Sequence, residues 1–197
     1  MWTIVGLGNP GGEYDNTRHN IGRDLLRAIA KGEGVKEWKE DTKTHAQLAR
    51  GVLFGKKVTL VLPDTYMNNS GKALTTLVKS KKDAESLVVV HDELDMPLGK
   101  IKFSVGSSAG GHRGVDSIQK ALKTKEFVRI RIGISPSTSS GRLRKPESHD
   151  TVDFVLGTFK PGEQEKLKKV KKLLAEALEL LITEGLDHAT MVIHTKQ

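Results

Sequence analysis

Residues 2–30 decide the fold class and read WTIVGLGNPGGEYDNTRHNIGRDLLRAIA. An apolar run from Trp2 to Leu7 ends in a glycine-rich turn, which is typical of a β-strand that stops sharply. Four apolar residues then recur at the spacing of one helix face: Ile21, Leu25, Leu26 and Ile29. The stretch therefore predicts a strand, a tight turn and an amphipathic helix, which is the building unit of α/β folds.

The rest of the chain continues this alternation. Strands are predicted at residues 45–53, 57–62, 87–90, 101–105, 128–134 and 152–156, and helices around residues 73–78, 115–122 and 161–184. The first two of these strands flank Phe54-Gly55-Lys56 and should form an antiparallel hairpin. We therefore expect an α/β fold with a mixed, twisted β-sheet flanked by helices in three layers, in a single domain over residues 1–197. A Ser-, Arg- and Lys-rich segment, residues 135–150, is expected to be a flexible loop.

Composition narrows the class of protein. Lys and Arg number 32 against 24 Asp and Glu, so the net charge is +8, which favours a polyanionic partner such as nucleic acid or an acidic membrane surface. The chain has no cysteine, which excludes disulfide scaffolds, thiolate metal sites and cysteine nucleophiles. No apolar run approaches the roughly 20 residues that span a bilayer, and the first residues do not resemble a signal peptide. We expect a soluble, cytoplasmic protein.

Two glycine-rich motifs suggest chemistries that their surroundings do not favour. Gly6-x-Gly8-x-x-Gly11 matches the dinucleotide-binding pattern, but that site needs a helix that begins within the glycine run. Gly106-x-Ser108-x-Gly110 matches the nucleophile elbow of serine hydrolases, but more glycines follow where the helix should start. A tight turn and a ligand-side loop are the favoured interpretations, and a serine hydrolase that uses Ser108 is kept as a weaker alternative.

Several polar residues follow predicted strands or begin predicted helices. They are Asn9, His19, Asn68 and the pair His91-Asp92. Each has an ordinary structural explanation alone, because asparagines commonly cap helices and histidines are often surface residues. Open α/β sheets bind ligands at the carboxyl ends of their strands, however, so the positions favour a common site. A histidine and an aspartate there suggest general-base catalysis.

The sequence also resembles a known family in several blocks. The run GLGNPGGEYDNTRHNIG at residues 6–22 closely resembles the N-terminal signature of bacterial-type peptidyl-tRNA hydrolases. Further blocks follow in that family's order: Tyr66–Gly71, Val90–Pro97, Gly110–Gly114, Arg129–Gly133 and Val152–Gly157. The resemblance therefore extends from the first strand to the last predicted helix. It implies an enzyme that hydrolyses the ester between a peptide and the 3′ ribose of tRNA.

The resemblance also implies roles for individual residues. His19 is similar in position to the catalytic base, and Asp92 to the carboxylate that orients it. Asn9 and Asn68 match amides that grip the peptide end of the substrate. Four further positions are implied to contact tRNA: Tyr14 and Tyr66 beside its 3′ end, with Tyr66 in place of the usual Phe, and the basic residues Lys102 and Arg131 on its phosphates.

One residue departs from the family pattern. The usual Gly-His-Asn-Gly is here Gly111-His112-Arg113-Gly114, and arginine cannot accept a hydrogen bond as asparagine can. Arg113 is expected to contact substrate phosphate instead. The alternative is an RNA-binding module that kept the fold and lost efficient catalysis. The resemblance implies no cofactor, no metal and no membrane partner, and we expect a monomer that binds peptidyl-tRNA.

Overall fold

The computed structural model describes residues 1–138 and 140–197. Its strands are β1 (Trp2–Gly6), β2 (Lys39–Asp41), β3 (Ala46–Leu53), β4 (Lys56–Pro63), β5 (Leu87–Pro97), β6 (Ile101–Ser104) and β7 (Val128–Ser135). Its α-helices are α1 (Ile21–Gly32), α2 (Lys81–Glu85), α3 (Arg113–Leu122), α4 (Thr151–Leu156), α5 (Pro161–Thr183) and α6 (Leu186–Thr195). Short 3₁₀ helices occupy Gly12–Tyr14, Arg18–Asn20, Met67–Leu74 and Ser148–Asp150.

The strands form one seven-stranded mixed sheet in the order β2-β3-β4-β1-β5-β7-β6. The four central strands, β4, β1, β5 and β7, are parallel, and the edges are antiparallel. This arrangement confirms the predicted α/β fold with a mixed sheet, and the β3–β4 pairing confirms the predicted hairpin. Uniformly apolar central strands are expected in such a sheet because helices cover both of their faces.

Alternate residues of the central strands build two cores, one on each face. Val88 and Val90 of β5 pack with α1, α5 and α6 in the larger core. Leu87 and Val89 point the other way and pack with α3 and the 3₁₀ helix Met67–Leu74. This period of two is what a β-strand imposes on its side chains, and it produces the three layers expected from the sequence.

Several predicted elements were wrong in type or extent. Val152–Leu156 is a helix, α4, and not a strand, because its apolar residues at positions i, i+3 and i+4 share one helix face. The helix expected around residues 73–78 is instead the 3₁₀ helix Met67–Leu74. The strand expected to end at residue 90 continues to Pro97, because β7 pairs with it up to that residue. The sequence analysis did not predict β2, α2 or α6.

The segment at residues 135–150 contains Ser139, which lies outside the described residues, and its flexibility stays a prediction. Its described part includes a bridge between Ser137 and Leu143. Within residues 1–138 and 140–197, no helix combines the length and the apolar character needed to cross a membrane.

A close contact between α1 and β5 provides the first prediction. A Cβ added at Gly22 would lie 2.3 Å from the carbonyl oxygen of Val90, whereas one added at Gly32, in the same helix, would meet nothing within 4 Å. We expect Gly22→Ala to lower the free energy of unfolding by about 1–3 kcal/mol through overpacking, and so to lower the melting temperature by several degrees. Gly32→Ala should not lower the melting temperature. Thermal unfolding measures both variants. Equal melting temperatures would show that α1 moves away from β5 without cost.

Candidate active site

The fold brings His19 and Asp92 together from different elements. His19 lies in the 3₁₀ helix Arg18–Asn20, immediately before α1. Asp92 lies on β5, beyond the last residue of β1 that pairs with that strand, because Gly6 is opposite Val90. The close packing of Gly22 on Val90 sets the start of α1 against this part of β5. The histidine therefore reaches the carboxylate across the carboxyl end of β1.

Asp92 accepts hydrogen bonds from two imidazoles. His19 Nδ1 lies 3.0 Å from both carboxylate oxygens, and His112 Nε2 lies 2.8 Å from Oδ1. Asp92 is nearly buried, with 4% of its side chain exposed. Because Asp92 binds Nδ1 of His19, that ring nitrogen is the donor, and Nε2 is left as the acceptor. This is the tautomer that a general base requires.

The charges of this cluster alter two pKa values. Burial alone would raise the pKa of Asp92, but His19 and His112 outweigh it and hold that pKa far below its usual range. Burial lowers the pKa of His19, but the charge and hydrogen bond of Asp92 outweigh this effect and raise that pKa above its ordinary value. The positive charge of Arg113 acts in the opposite direction and lowers the pKa of His19. Asp92 is therefore ionised at neutral pH, ready to stabilise an imidazolium.

Asn9 is held by two neighbours. The side chain of Asn20 accepts from the backbone N–H of Asn9 at 2.8 Å and donates to its carbonyl at 2.9 Å. The Oδ1 atom of Asn9 accepts from the backbone N–H of Met67 at 2.8 Å. The group that Asn9 has left for a ligand is therefore its Nδ2 amide, a donor. Asn68, next to Met67, is exposed and contributes a second amide.

One cavity of about 660 Å³ collects most of the candidate residues. Asn9, His19, Tyr66, Asn68, Asp92 and Arg113 all line it. Tyr14 does not line it but meets the ring of Tyr66 edge-on, with ring centroids 6.5 Å apart. Because 60% of Tyr66 is exposed, this aromatic pair offers surfaces on which a base can stack.

The two basic residues assigned to phosphates lie outside this cavity. Lys102 on β6 is exposed and is opposite Arg131 on β7. Arg131 donates through Nε to Glu93 at 2.9 Å, and Glu93 does line the cavity. The structure therefore places Lys102 and Arg131 beside each other, and Glu93 links Arg131 to the cavity.

One wall of the cavity is α4, which contributes Thr151, Val152, Val155 and Leu156. Arg18 fixes this wall. It donates to the carbonyl of Thr158 at 2.6 Å, pairs with Glu163 at 2.8 Å and lies over the ring of Phe154. Because Arg18 precedes His19, the wall and the histidine are positioned by the same segment.

The cluster of His19, Asp92 and His112 has its donor atoms within 4.8 Å of one another, as a metal site would. The hydrogen bonds argue against that use. His112 Nδ1 accepts from the backbone N–H groups of Gly114 and Val115, so Nε2 carries the proton that faces Asp92 and offers no lone pair. The nucleophile-elbow motif is also unsupported, because Ser108 is exposed and α3 begins only at Arg113.

Known proteins resemble this chain over nearly its whole length. Residues 3–197 match the family model described as peptidyl-tRNA hydrolase. The chain belongs to the peptidyl-tRNA hydrolase family. Among proteins with that name, one from Carboxydothermus hydrogenoformans is 43% identical over 190 residues, covering 96% of each chain. One from Aquifex aeolicus is 42% identical over 187 residues, covering 94% of this chain and 92% of that protein.

A solved structure gives the same result for the fold. The crystal structure of peptidyl-tRNA hydrolase from Acinetobacter baumannii superposes with a TM-score of 0.86 at 34% identity, covering 98% of this chain and 94% of that one. The resemblance inferred from the sequence is therefore confirmed. The dinucleotide-binding alternative is unsupported, because α1 begins at Ile21, well after the glycine run.

Three features of the site appear in the structure but were not predicted from the sequence. His112 lies in a block that was noticed, but nothing local showed that its ring faces Asp92. Asn20 lies in the N-terminal signature, and its role in holding Asn9 appears only in three dimensions. The apolar face of α4 was assigned to a strand. The spacing of Val152, Val155 and Leu156, which matches one face of a helix, is the signal that could have predicted α4.

Proposed function

We propose that His19 is the general base with which this chain hydrolyses peptidyl-tRNA, with water as the nucleophile. The observation that carries this proposal is the hydrogen bond from His19 Nδ1 to the buried Asp92, which leaves Nε2 as an acceptor in a residue that lines the cavity. An imidazole that titrates near neutral pH suits proton transfer from water. The family assignment supports the substrate.

The reaction follows from this geometry. His19 Nε2 takes a proton from water as the water oxygen attacks the ester carbonyl carbon, and Asp92 stabilises the imidazolium that forms. The tetrahedral intermediate then collapses and breaks the bond to the 3′ oxygen of the ribose. That oxygen takes the proton from His19, which releases the tRNA and the carboxylic acid of the peptide. The acid then loses its remaining proton to solvent and leaves as the carboxylate.

The two asparagines have separate roles in this proposal. The exposed amide of Asn68 donates to the oxyanion of the intermediate, and one such donor is typically worth about 3 kcal/mol. The Nδ2 amide of Asn9 donates to a peptide carbonyl of the substrate. An unblocked aminoacyl group has a free α-ammonium instead, which only donates hydrogen bonds and so cannot accept one from this amide. The site is therefore expected to prefer N-blocked aminoacyl groups.

The decisive experiment is turnover of a defined N-acylaminoacyl-tRNA beside its unblocked counterpart. We expect multiple turnovers of the blocked substrate and little cleavage of the unblocked one. Binding without turnover would favour the alternative of an RNA-binding module. We further propose that residues 1–197 act as one domain, as a monomer in the cytoplasm, with peptidyl-tRNA and no membrane as the partner.

Phosphate binding by Lys102 is tested through its salt dependence. Removing one cation that binds a phosphate should flatten the plot of log K against log salt concentration by about 0.7–0.9 units. We expect Lys102→Ala to flatten it by that amount and to raise KM more than it lowers kcat, and Arg131→Ala to do the same. Lys120→Ala, which removes an exposed cation paired with Asp116 on α3, is the matched control. If the slope of log K against log salt concentration is the same in all three variants, Lys102 and Arg131 bind no phosphate and only keep the surface solvated.

Arg113 is proposed to position substrate rather than to activate water. It is exposed at the rim of the cavity, and its guanidinium offers only donors, which suit a phosphate or carbonyl oxygen. Arg113→Ala should raise KM for full peptidyl-tRNA more than for a minimal 3′-end fragment, and Arg113→Asn should be tolerated. Loss of its charge should also raise the pKa of His19, so the acid limb of the rate profile moves to higher pH. An equal rise in KM for both substrates would contradict the phosphate assignment.

A further inference from the structure

His112 has no role in the reaction described so far, yet it is the second partner of the carboxylate in the site. Its Nε2 lies 2.8 Å from Asp92 Oδ1, closer than the 3.0 Å that separates His19 Nδ1 from either oxygen. Asp92 has only 4% of its side chain exposed, so solvent has little access to it. Each proton-bearing partner of a buried carboxylate matters, because water cannot easily replace one that is removed.

The start of α3 decides which nitrogen of His112 carries the proton. His112 is the N-cap of α3, and its Nδ1 accepts from the backbone N–H groups of Gly114 at 3.2 Å and Val115 at 3.3 Å. A proton on Nδ1 would face two backbone donors at the positive end of the helix dipole. The only ring proton is therefore on Nε2, which points at Asp92.

We propose that His112 is a positioning residue for the hydrolysis, which holds the Asp92 carboxylate in place for His19 and is itself locked as a donor by the N-terminus of α3. The inference rests on the proposed role of His19 as the base. Asp92 is thereby clamped between α3 on one side and the segment before α1 on the other. It keeps its charge and orientation when His19 becomes an imidazolium.

Other titratable and charged groups lie near His112 and Asp92, and the substitutions below leave their side chains in place. On β5, the ring of His91 packs against His112 with centroids 4.7 Å apart, and burial with the nearby His112 holds the pKa of His91 well below its ordinary value. Glu93 is neutralised by Arg131. Arg113 is an exposed cation on α3, and Arg18, before His19, is paired with Glu163. None of these pairings involves Nε2 of His112.

Two substitutions separate the two functions of His112, which donates a hydrogen bond to Asp92 and caps the N-terminus of α3. In His112→Asn, Oδ1 takes the place of Nδ1 and asparagine is a preferred N-cap, but the side chain ends one atom short of Nε2 and does not reach Asp92. In His112→Gln, the longer amide reaches Asp92 as a donor and the cap is removed. Ser80→Ala is the control, because Ser80 caps α2 in the same manner, accepting from Asp83 N at 3.1 Å, away from the site.

We expect His112→Asn to melt close to wild type but to lose activity. Its kcat should fall about 10-fold, with KM little changed. Removing the hydrogen-bond partner that orients a metal-binding histidine typically lowers activity by about 10- to 100-fold, and we expect the lower end of that range here. Asp92 without its second donor should hold the proton on His19 more strongly, so the acid limb of kcat/KM should move to higher pH by about 0.5–1 unit. His112→Gln should recover most of the activity, but its melting temperature should be a few degrees below that of the wild type. Ser80→Ala should show a similar fall in melting temperature with full activity.

The opposite pattern would overturn the inference. If His112 only caps α3, His112→Asn stays active with an unmoved acid limb and His112→Gln is the poorer enzyme. An acid limb that moves to lower pH in His112→Asn would also overturn it. Nitrogen-15 NMR of the wild-type histidines gives an independent readout, which needs no variant to fold: His112 should be protonated at Nε2 and bare at Nδ1. A ring protonated at Nδ1 contradicts the inference, whereas an active His19→Ala contradicts the proposed function itself.

Discussion

His19→Ala should lower kcat by roughly 10²–10⁴-fold, which is the usual contribution of a general base, with little loss of affinity for tRNA. The variant should still fold, because Asp92 keeps its hydrogen bond to His112 and is not left without a partner. In the wild type, the pKa of His19 is raised by Asp92, and only the neutral imidazole is active. Activity should therefore rise with pH through a value above the ordinary histidine pKa. Single-turnover hydrolysis of an N-acylaminoacyl-tRNA across pH measures both effects.

Two controls make this result specific. His188→Ala removes an imidazole that pairs with Glu184 on the surface of α6, and it should leave kcat unchanged. Ser108→Ala should be silent, because Ser108 is exposed and does not line the cavity. An inactive serine variant together with an active histidine variant would require a covalent mechanism in place of water attack.

The parts of the fold that were predictable are those with a clear local period. β1, the β3–β4 hairpin and α1 each show a run or spacing that excludes the other type of structure. α4 was misread because residues 152–156 hold four apolar side chains in five positions, which satisfy the period of a strand as well as that of a helix. Val152, Val155 and Leu156 share the helix face that lines the cavity. β2 is a short polar edge strand, so it carries no apolar pattern to detect.

The candidate site shows a similar division. The sequence placed Asn9, His19 and Asp92 at one edge of the sheet, and these residues do line one cavity. Their roles stay predictions. The contact of His112 with Asp92 could not be predicted, because a histidine that caps a helix and one that is merely exposed look alike in sequence. Which nitrogen carries the proton depends on backbone groups that only folding brings together.

Asp92→Asn should be as damaging as loss of the base and should differ from it in pH dependence. An asparagine at this position can present its amide to His19 Nδ1, which favours the tautomer with the proton on Nε2, where the lone pair is needed. A comparable change in a serine protease triad costs about 10⁴-fold in kcat, and we expect a loss of about 10³–10⁴-fold here. Asp116→Asn, at a half-buried carboxylate paired with Lys120 on α3, should retain full activity.

The sign of the pH shift distinguishes this variant from the others. Asp92 is what raises the pKa of His19 against the lowering effects of burial and Arg113. Without the carboxylate those two effects remain, so the pKa of His19 should fall below its ordinary value, and the acid limb of the residual activity should move to lower pH. The predicted shift in His112→Asn has the opposite sign, since there the carboxylate stays and a competing donor is removed. Residual activity that follows the wild-type acid limb would show that Asp92 does not set the protonation of His19, and that another group carries the pH dependence.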